Sequence, residues 1–329
     1  MLADAHGRVA RSLRISVTDR CNLRCLYCMP AGAIRWFEKS RLLSFEEIRR
    51  VVEVLARLGV RDVRLTGGEP LLRRDLPVLA RMISAVDGIE ELSVTTNGLL
   101  LAALAEPLMR AGVQRFNVHI DSLDPSTFRE ASRRDAFHRV LDGLEELERL
   151  ELYPIKVNVV LMRGINDHEI PGFAELARRR PYRVRFIELM PLGGGEPFEI
   201  ERLVPGAEVR RRIEATRPLL PVGRDRPSAP ASVFRFADGQ GDIGFINPVT
   251  EPFCGDCDRV RLTADGMLRN CLFSRTETDL RSILRSGADD GEIVRAVTAE
   301  VGAKGPGGCV DLSQFHRRRL ARKMWQIGG

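Results

Sequence analysis

The sequence predicts an α/β protein: an incomplete (β/α)6-type barrel followed by a C-terminal extension. Three observations carry this. The first two-thirds of the 329 residues repeats a strand-then-helix unit, the pattern of parallel β-strands joined by crossover helices. The strands alternate apolar and polar residues, whereas helices packed on both faces would demand strands apolar on both. After Pro191 the rhythm breaks into short strands, short helices and Gly- and Pro-rich connections. Six units fit an open or partial barrel better than a closed eightfold one.

Strands are expected at residues 13–17, 62–65, 92–95, 115–120, 155–161 and 184–188, and helices at 45–58, 76–86, 102–111, 137–150 and 168–178. Gly, Asn and Asp mark the strand ends, as in Gly67-Gly68, Asn97-Gly98 and Asn166-Asp167. Within the strands, Leu13, Ile15 and Val17 face one way and Arg14, Ser16 and Thr18 the other. Phe116, Val118 and Ile120 oppose Arg115, Asn117, His119 and Asp121; Ile155, Val157 and Val159 oppose Lys156 and Asn158; Thr95 shares its face with Asn97. Helices must cover the apolar side. The polar side then lines a lumen of cations, amides and hydroxyls, as a large ligand chamber would be, where a plain barrel is filled by bulky branched residues. The alternative is a solvated face of an open sheet.

Beyond Pro191, the glycines at 193–195 begin a loop, and residues 221–230, rich in Pro, Arg and Ser, read as a linker. This divides the chain into a barrel at residues 1–220 and a C-terminal region at 221–329. Short strands are expected at 233–236 and 243–246, and helices near 279–285 and 291–300.

Composition narrows the function classes. A chain this long, 44% hydrophobic, builds a core without disulfide staples. Six of the seven cysteines fall into two groups, which argues for metal ligation in a reducing compartment rather than a secreted disulfide framework. The first residues hold no apolar signal core, and no apolar run approaches the roughly 18 residues of a membrane span. The expectation is a cytoplasmic protein with no membrane partner. A net charge of +6 fits an anionic small ligand or a nucleic acid. Three tyrosines and no aromatic–basic interleaving argue against a single-strand stacking platform, so no nucleic acid is expected. The arginine runs at 178–180, 210–212 and 317–319 read as solvated helix faces.

The chemistry-bearing motif is Asp19-Arg20-Cys21-Asn22-Leu23-Arg24-Cys25-Leu26-Tyr27-Cys28-Met29-Pro30. Its CxxxCxxC spacing lets one tight loop offer three thiolates. Iron–sulfur cubes usually take four cysteines, so three leave one iron open for a ligand that is not protein. Half of a zinc site is the alternative. Thr66-Gly67-Gly68-Glu69-Pro70 follows the second expected strand, and adjacent glycines let backbone approach a ligand closely. A second set, Cys254, Cys257 and Cys271, again numbers three. It suits a second cube with its own open iron, or a zinc knuckle. Cys309 lies in a Gly-rich tail and reads as unpaired. Between these cysteines Arg259 and Arg261 share one face of a short strand, and guanidinium forks suit phosphate oxygens. With Arg14, Arg64 and Lys156 on the lumen face, the chamber would concentrate positive charge suited to a triphosphate.

The CxxxCxxC with an aromatic before its third cysteine resembles the radical S-adenosylmethionine (SAM) superfamily. Together with Thr95-Thr96-Asn97-Gly98, Cys254-Gly255-Asp256-Cys257-Asp258-Arg259-Val260-Arg261-Leu262 and the closing Ile327-Gly328-Gly329, it resembles the GTP 3′,8-cyclase family, from about Leu13 to the C-terminus. The resemblance implies a radical SAM lyase of the first step of molybdenum cofactor biosynthesis. It would turn GTP into (8S)-3′,8-cyclo-7,8-dihydroguanosine 5′-triphosphate by hydrogen removal from ribose C3′ and attack of that carbon on guanine C8. It implies two [4Fe–4S] clusters and SAM as cofactors, one cluster on Cys21, Cys25 and Cys28, the other on Cys254, Cys257 and Cys271. Tyr27, Gly68, His119 and Met190 would contact SAM; the family usually carries Ser at the position of His119. Arg14, Arg64, Thr95, Lys156, Arg259, Val260 and Arg261 would bind GTP. The Gly328-Gly329 tail would reach into the active site. Cyclic pyranopterin monophosphate synthase downstream, and a reductant such as flavodoxin or ferredoxin, are implied as partners, and a homodimer is allowed. A peptide-modifying radical SAM enzyme and a zinc-containing nucleic-acid-binding protein are the rival classes.

Overall fold

The computed structural model describes residues 1–192, 200–307 and 322–328. Six strands, β1 (Ser12–Ser16), β2 (Asp62–Thr66), β3 (Glu91–Thr96), β4 (Arg115–His119), β5 (Ile155–Leu161) and β6 (Tyr182–Glu188), lie side by side in chain order and run parallel. Between them run α1 (Phe45–Arg57), α2 (Leu76–Ser84), α3 (Leu101–Arg110), α4 (Pro125–Ser132) and α5 (Phe137–Arg149), with α6 (Ile170–Arg179) before β6. The expected strands and helices are present with ends shifted by a few residues, and α4 is additional. The sequence carries its signal in Asp124-Pro125: Asp124 accepts from Thr127 N as an N-cap, and Pro125 occupies the first turn. A capping box starts α1, Ser44 accepting from Glu47 N while Glu47 accepts from Ser44 N.

The apolar stripe of each strand packs under the helices. Leu13, Ile15, Leu65, Val94, Val118, Val157 and Val184 are all within 1% of full burial in one core with Val51, Leu55, Leu79, Leu108 and Phe173. Each such side chain contributes about 1.5–3 kcal/mol, so the alternation fixes which residues are left for the other face.

The C-terminal part does not form a separate layer. After α7 (Gly206–Glu214) come β7 (Leu219–Gly223), β8 (Ser232–Phe236), β9 (Asp242–Ile246), β10 (Arg259–Leu262), β11 (Met267–Arg269) and β12 (Thr278–Asp279). Together the strands form one sheet in the order β12-β11-β10-β1-β2-β3-β4-β5-β6-β9-β8-β7. β9 continues the parallel array beyond β6, and β10 continues it beyond β1. The expected division between 220 and 221 therefore falls inside β7, and the start of the expected linker is edge strand. α8 (Leu280–Arg285), α9 (Asp290–Gly302) and the short α10 (Met324–Ile327) complete the described chain. The loop at 193–195, the run at 317–319, Cys309 and Gly329 lie outside the described residues. The run at 178–180 is not simply solvated: the Arg178 side chain is 12% exposed, pairs with Glu175 and Asp238, and lies over Phe236. No described helix is long and apolar enough to cross a membrane.

Register matters most for function. β10 pairs with β1 so that Arg261 stands beside Arg14, and β2 pairs with β1 so that Arg64 stands on its other side. Three arginines thus lie in one row across three adjacent strands, about 4.8 Å apart per step. Like charges directly opposite destabilise a sheet, and the apolar packing behind them holds the row in place.

Candidate functional site

A cavity of ≈ 270 Å³ opens on the polar face of the strands, close to the lower end of the ~300–1,000 Å³ usual for ligand pockets. Cys21, Cys25, Tyr27, Cys28, Gly68, His119 and Met190 line it, as do Arg14, Arg64, Thr95, Arg259 and Arg261. The expected SAM contacts and most expected GTP contacts therefore share one chamber. Two do not reach it. The Val260 side chain sits in the core on the opposite face of β10 from Arg259 and Arg261, because alternate residues point apart. Lys156 is buried, but its Nζ donates to Asp225 Oδ2 at 3.2 Å.

The first cysteine loop follows β1. Gly68 explains how it is held. A Cβ on Gly68 would stand 2.3 Å from the Arg20 carbonyl oxygen, and Gly68 N donates to Thr18 O while Glu69 N donates to Arg20 O. The close approach is thus to the cysteine loop itself as well as to the cavity. Glu69 faces the cavity, yet its carboxylate accepts from Leu71 N, Thr96 Oγ1 and Asn97 N. Burial pushes it up to about 7 against these hydrogen bonds.

Cys21, Cys25 and Cys28 are free thiols. Burial pushes Cys21 up to about 11, with Glu69 adding to it, and burial with the neighbouring Asp121 and cysteines raises Cys25 well above the usual thiol range. A thiol this reluctant to ionise is deprotonated when a metal binds it. Cys21 Sγ already accepts from Leu23 N at 3.4 Å and Asn97 Nδ2 at 3.8 Å, donors that stabilise a ligating thiolate. Among the described residues no three His, Cys, Asp or Glu side chains converge as on a single metal ion. A cube asks for a wider set, because each thiolate holds its own iron. The three thiols fit a [4Fe–4S] cluster with one iron open.

Tyr27 Oη lies 2.5 Å from His119 Nε2 and donates to Asp121 Oδ2 at 3.1 Å, while His119 Nε2 is 2.8 Å from the same carboxylate oxygen. Burial disfavours the charged imidazole, but Asp121 outweighs it and raises the His119 pKa. His119 Nε2 is therefore committed to protein partners, and a ligand in the chamber meets the rest of the ring.

The second cysteine set adjoins the arginine row, with Cys257 near Arg14 and Arg261 and Cys271 near Arg261. Cys254, Cys257 and Cys271 are free and half-buried. They do not line the cavity, but their neighbours Phe253, Arg259 and Leu272 do. Lys304 Nζ donates to Cys257 Sγ at 3.4 Å and to the carbonyls of Cys257 and Arg259. Against burial, Arg259 and Lys304 bring the Cys257 thiol down to about 7, which suits metal ligation. Arg8, paired with Asp4, donates to the carbonyls of Cys254, Gly305 and Pro306 and ties this loop to the N-terminus.

The tail reaches the chamber. Met324 and Trp325 line it, and Arg261 Nη1 donates to Gly328 O at 2.6 Å. Gly328 has φ +86°, and a Cβ there would meet Thr66 Oγ1 at 2.4 Å. Arg322 anchors the approach through Asp265 and Glu277.

Sequence reasoning missed Arg185 and Trp325. Arg185 is buried, donates to Asn158 and Asn117, and lines the chamber. The alternation of Arg183 and Arg185 with Val184 and Phe186 in β6 was its signal. Five arginines thus face one cavity, while the two acids that line it, Glu69 and Glu188, spend their oxygens on backbone and hydroxyl donors. Burial and mutual repulsion lower Arg64 to about 10, Arg185 to about 9 and Arg261 to about 10. The chamber calls for an anion.

The chain matches the family model of the radical SAM superfamily over residues 15–177, and the model described as Molybdenum Cofactor Synthesis C over 182–308. A Rhodopirellula baltica protein named GTP 3′,8-cyclase is 45% identical over 332 aligned residues, covering 100% of this chain and 92% of its own. Proteins of the same name from Desulforamulus reducens and Syntrophomonas wolfei are 42% and 40% identical, each covering 100% of both chains. Among solved structures, Streptococcus suis SuiB bound to S-adenosylmethionine superposes with a TM-score of 0.60 at 13% identity, covering 88% of this chain and 68% of that one. That likeness is one of fold.

Proposed function

The chain belongs to the GTP 3′,8-cyclase family of radical SAM enzymes, and from that premise we propose how its residues divide the work. The protein is a GTP 3′,8-cyclase of molybdenum cofactor biosynthesis that uses SAM and iron–sulfur clusters. Cys21, Cys25 and Cys28 would hold the SAM cluster, and Cys254, Cys257 and Cys271 the second cluster. When bound, the clusters and SAM supply the one-electron chemistry that starts the reaction on the ribose.

The chain's own residues bind, orient and exclude. Tyr27, Gly68, His119 and Met190 form the wall at the first cysteine loop, where SAM would sit. Arg14, Arg64, Arg259 and Arg261, with Thr95, bind the triphosphate by charge-assisted hydrogen bonds. Arg185, pinned by Asn117 and Asn158, adds its charge. The guanine would be turned to the second cluster, and the Gly328 backbone, held by Arg261, closes that end. Holding both ligands in one chamber places the reacting carbon within reach and excludes water. Cyclic pyranopterin monophosphate synthase would take the product, and flavodoxin or ferredoxin would supply the electron.

The observation that carries this assignment of residues is the row Arg261–Arg14–Arg64, facing a chamber lined by the first three cysteines and by neighbours of the second three. Its test is anaerobic incubation of wild type and Cys25→Ala with GTP, SAM and a reductant, followed by product identification. Wild type should form the cyclised nucleotide and 5′-deoxyadenosine, and Cys25→Ala neither. A Cys25→Ala enzyme that still forms 5′-deoxyadenosine at the normal rate would remove the first-cluster assignment.

A further inference from the structure

Lys156 and Arg183 are cross-strand neighbours on β5 and β6. Both share one carboxylate: Arg183 Nη1 donates to Asp225 Oδ1 and Oδ2 at 2.8 and 2.9 Å, and Lys156 Nζ to Oδ2 at 3.2 Å, while Arg183 Nη2 donates to Asp242 Oδ2 at 3.2 Å and anchors the guanidinium. Asp225 comes from the segment between β7 and β8. The next residue, Arg226, pairs on the far side with Asp62, the first residue of β2, and with Asp258, just before β10. Ser228 Oγ also donates to Asp258. The segment is therefore a strap across the N-terminal ends of the barrel strands, joining β5–β6 to β2–β10. Gly223, at φ +101° with open space around it, marks where it leaves β7.

The geometry of Asp225 imitates a ligand. One carboxylate bridging an ammonium and a guanidinium makes the contacts a phosphate group makes. The Lys156 side chain is 8% exposed while that of Asp225 is 45% exposed. The cation is thus fixed in the fold, and the anion is the partner free to move away. Lys156 is also the expected phosphate residue whose side chain points off the chamber, and Asp225 is what it points to.

We propose that Asp225 is a phosphate surrogate: it holds Lys156 and Arg183 in the nucleotide-free enzyme and gives them up to the triphosphate of the substrate. The strap then selects for polyphosphate, because only a ligand with an anionic tail displaces the carboxylate. This rests on the assignment of Lys156 to GTP binding.

The test measures affinity for GTP and for guanosine with the anaerobic holoenzyme, without SAM or reductant, so that no turnover occurs. A half-exposed ion pair competes weakly, so Asp225→Asn should bind GTP about two- to fivefold more tightly, with guanosine affinity unchanged. Asp225→Ser should shift GTP in the same direction. In the Lys156→Met background the gain should shrink. If Lys156→Met weakens GTP binding but both Asp225 variants leave it unchanged or weaker, the surrogate role is wrong and the phosphate assignment stands. If Lys156→Met leaves GTP affinity intact, that assignment is wrong, and the surrogate falls with it.

Discussion

Replacing Gly328 by alanine should unseat the tail. The residue sits at φ +86°, where an L side chain is strained by about 1–3 kcal/mol. An added Cβ would also stand 2.4 Å from Thr66 Oγ1 and 3.2 Å from Ser16 Cβ, both on rigid strands of the barrel. Against this the tail is held by buried Trp325 and Ile327, the Arg261–Gly328 hydrogen bond and the Arg322 ion pairs. Most of those contacts lie upstream, so the last residues should leave the chamber while α10 stays docked. A penalty of about 2–3 kcal/mol corresponds to roughly a 30- to 150-fold loss of the seated form. The assay is the initial rate of GTP cyclisation beside the Kd for SAM. Cyclisation should fall at least tenfold, with SAM affinity within about twofold. Gly328→Ala combined with Thr66→Ala removes the hydroxyl contact but not the backbone strain, so it should recover part of the loss. Full cyclisation activity in Gly328→Ala would show that the carbonyl held by Arg261 does no work.

Other outcomes follow from the cationic row. Arg259→Ala with Arg261→Ala should weaken GTP binding far more than SAM binding in equilibrium titrations; equal loss of both would mark these arginines as supports of the fold. Arg14→Gln, which relieves repulsion in the row, should raise the Tm by about 1–3 °C while weakening GTP; a lower Tm would contradict the repulsion. Burial first, then Arg185 and Arg115, brings Lys156 down to about 8. Its charge is present below that value and lost above it, so Kd for GTP should rise between pH 7 and 9, and the step should disappear in Lys156→Met.

The barrel was legible because its strands write their two faces alternately. Leu13 and Arg14 announce core and chamber one after the other. The cysteine spacings and the Gly67-Gly68 turn were legible because each is local in the chain. What periodicity did not reveal is pairing across the sheet. Nothing local tells β9 and β10 to extend opposite ends of the same array, so the boundary at 220 and the linker at 221–230 were drawn across β7 and the strap. Val260 was carried along with its two neighbours, although strand alternation turns its side chain into the core. Lys156 lies on the polar face of its strand, but its side chain ends on Asp225 rather than in the chamber, and that partner lies 69 residues away on a strap without periodic pattern.

If each cysteine set holds a cube and the arginine row holds the nucleotide near both, GTP binding must register at the second cluster. Low-temperature EPR and Mössbauer spectra of reconstituted wild type, Cys25→Ala and Cys257→Ala, each with and without GTP, test it directly. Wild type should carry about eight irons per chain, each variant should lose a different cluster, and GTP should change the spectrum of the cluster that Cys25→Ala retains. A single cluster in wild type, or spectra that ignore GTP, would contradict it.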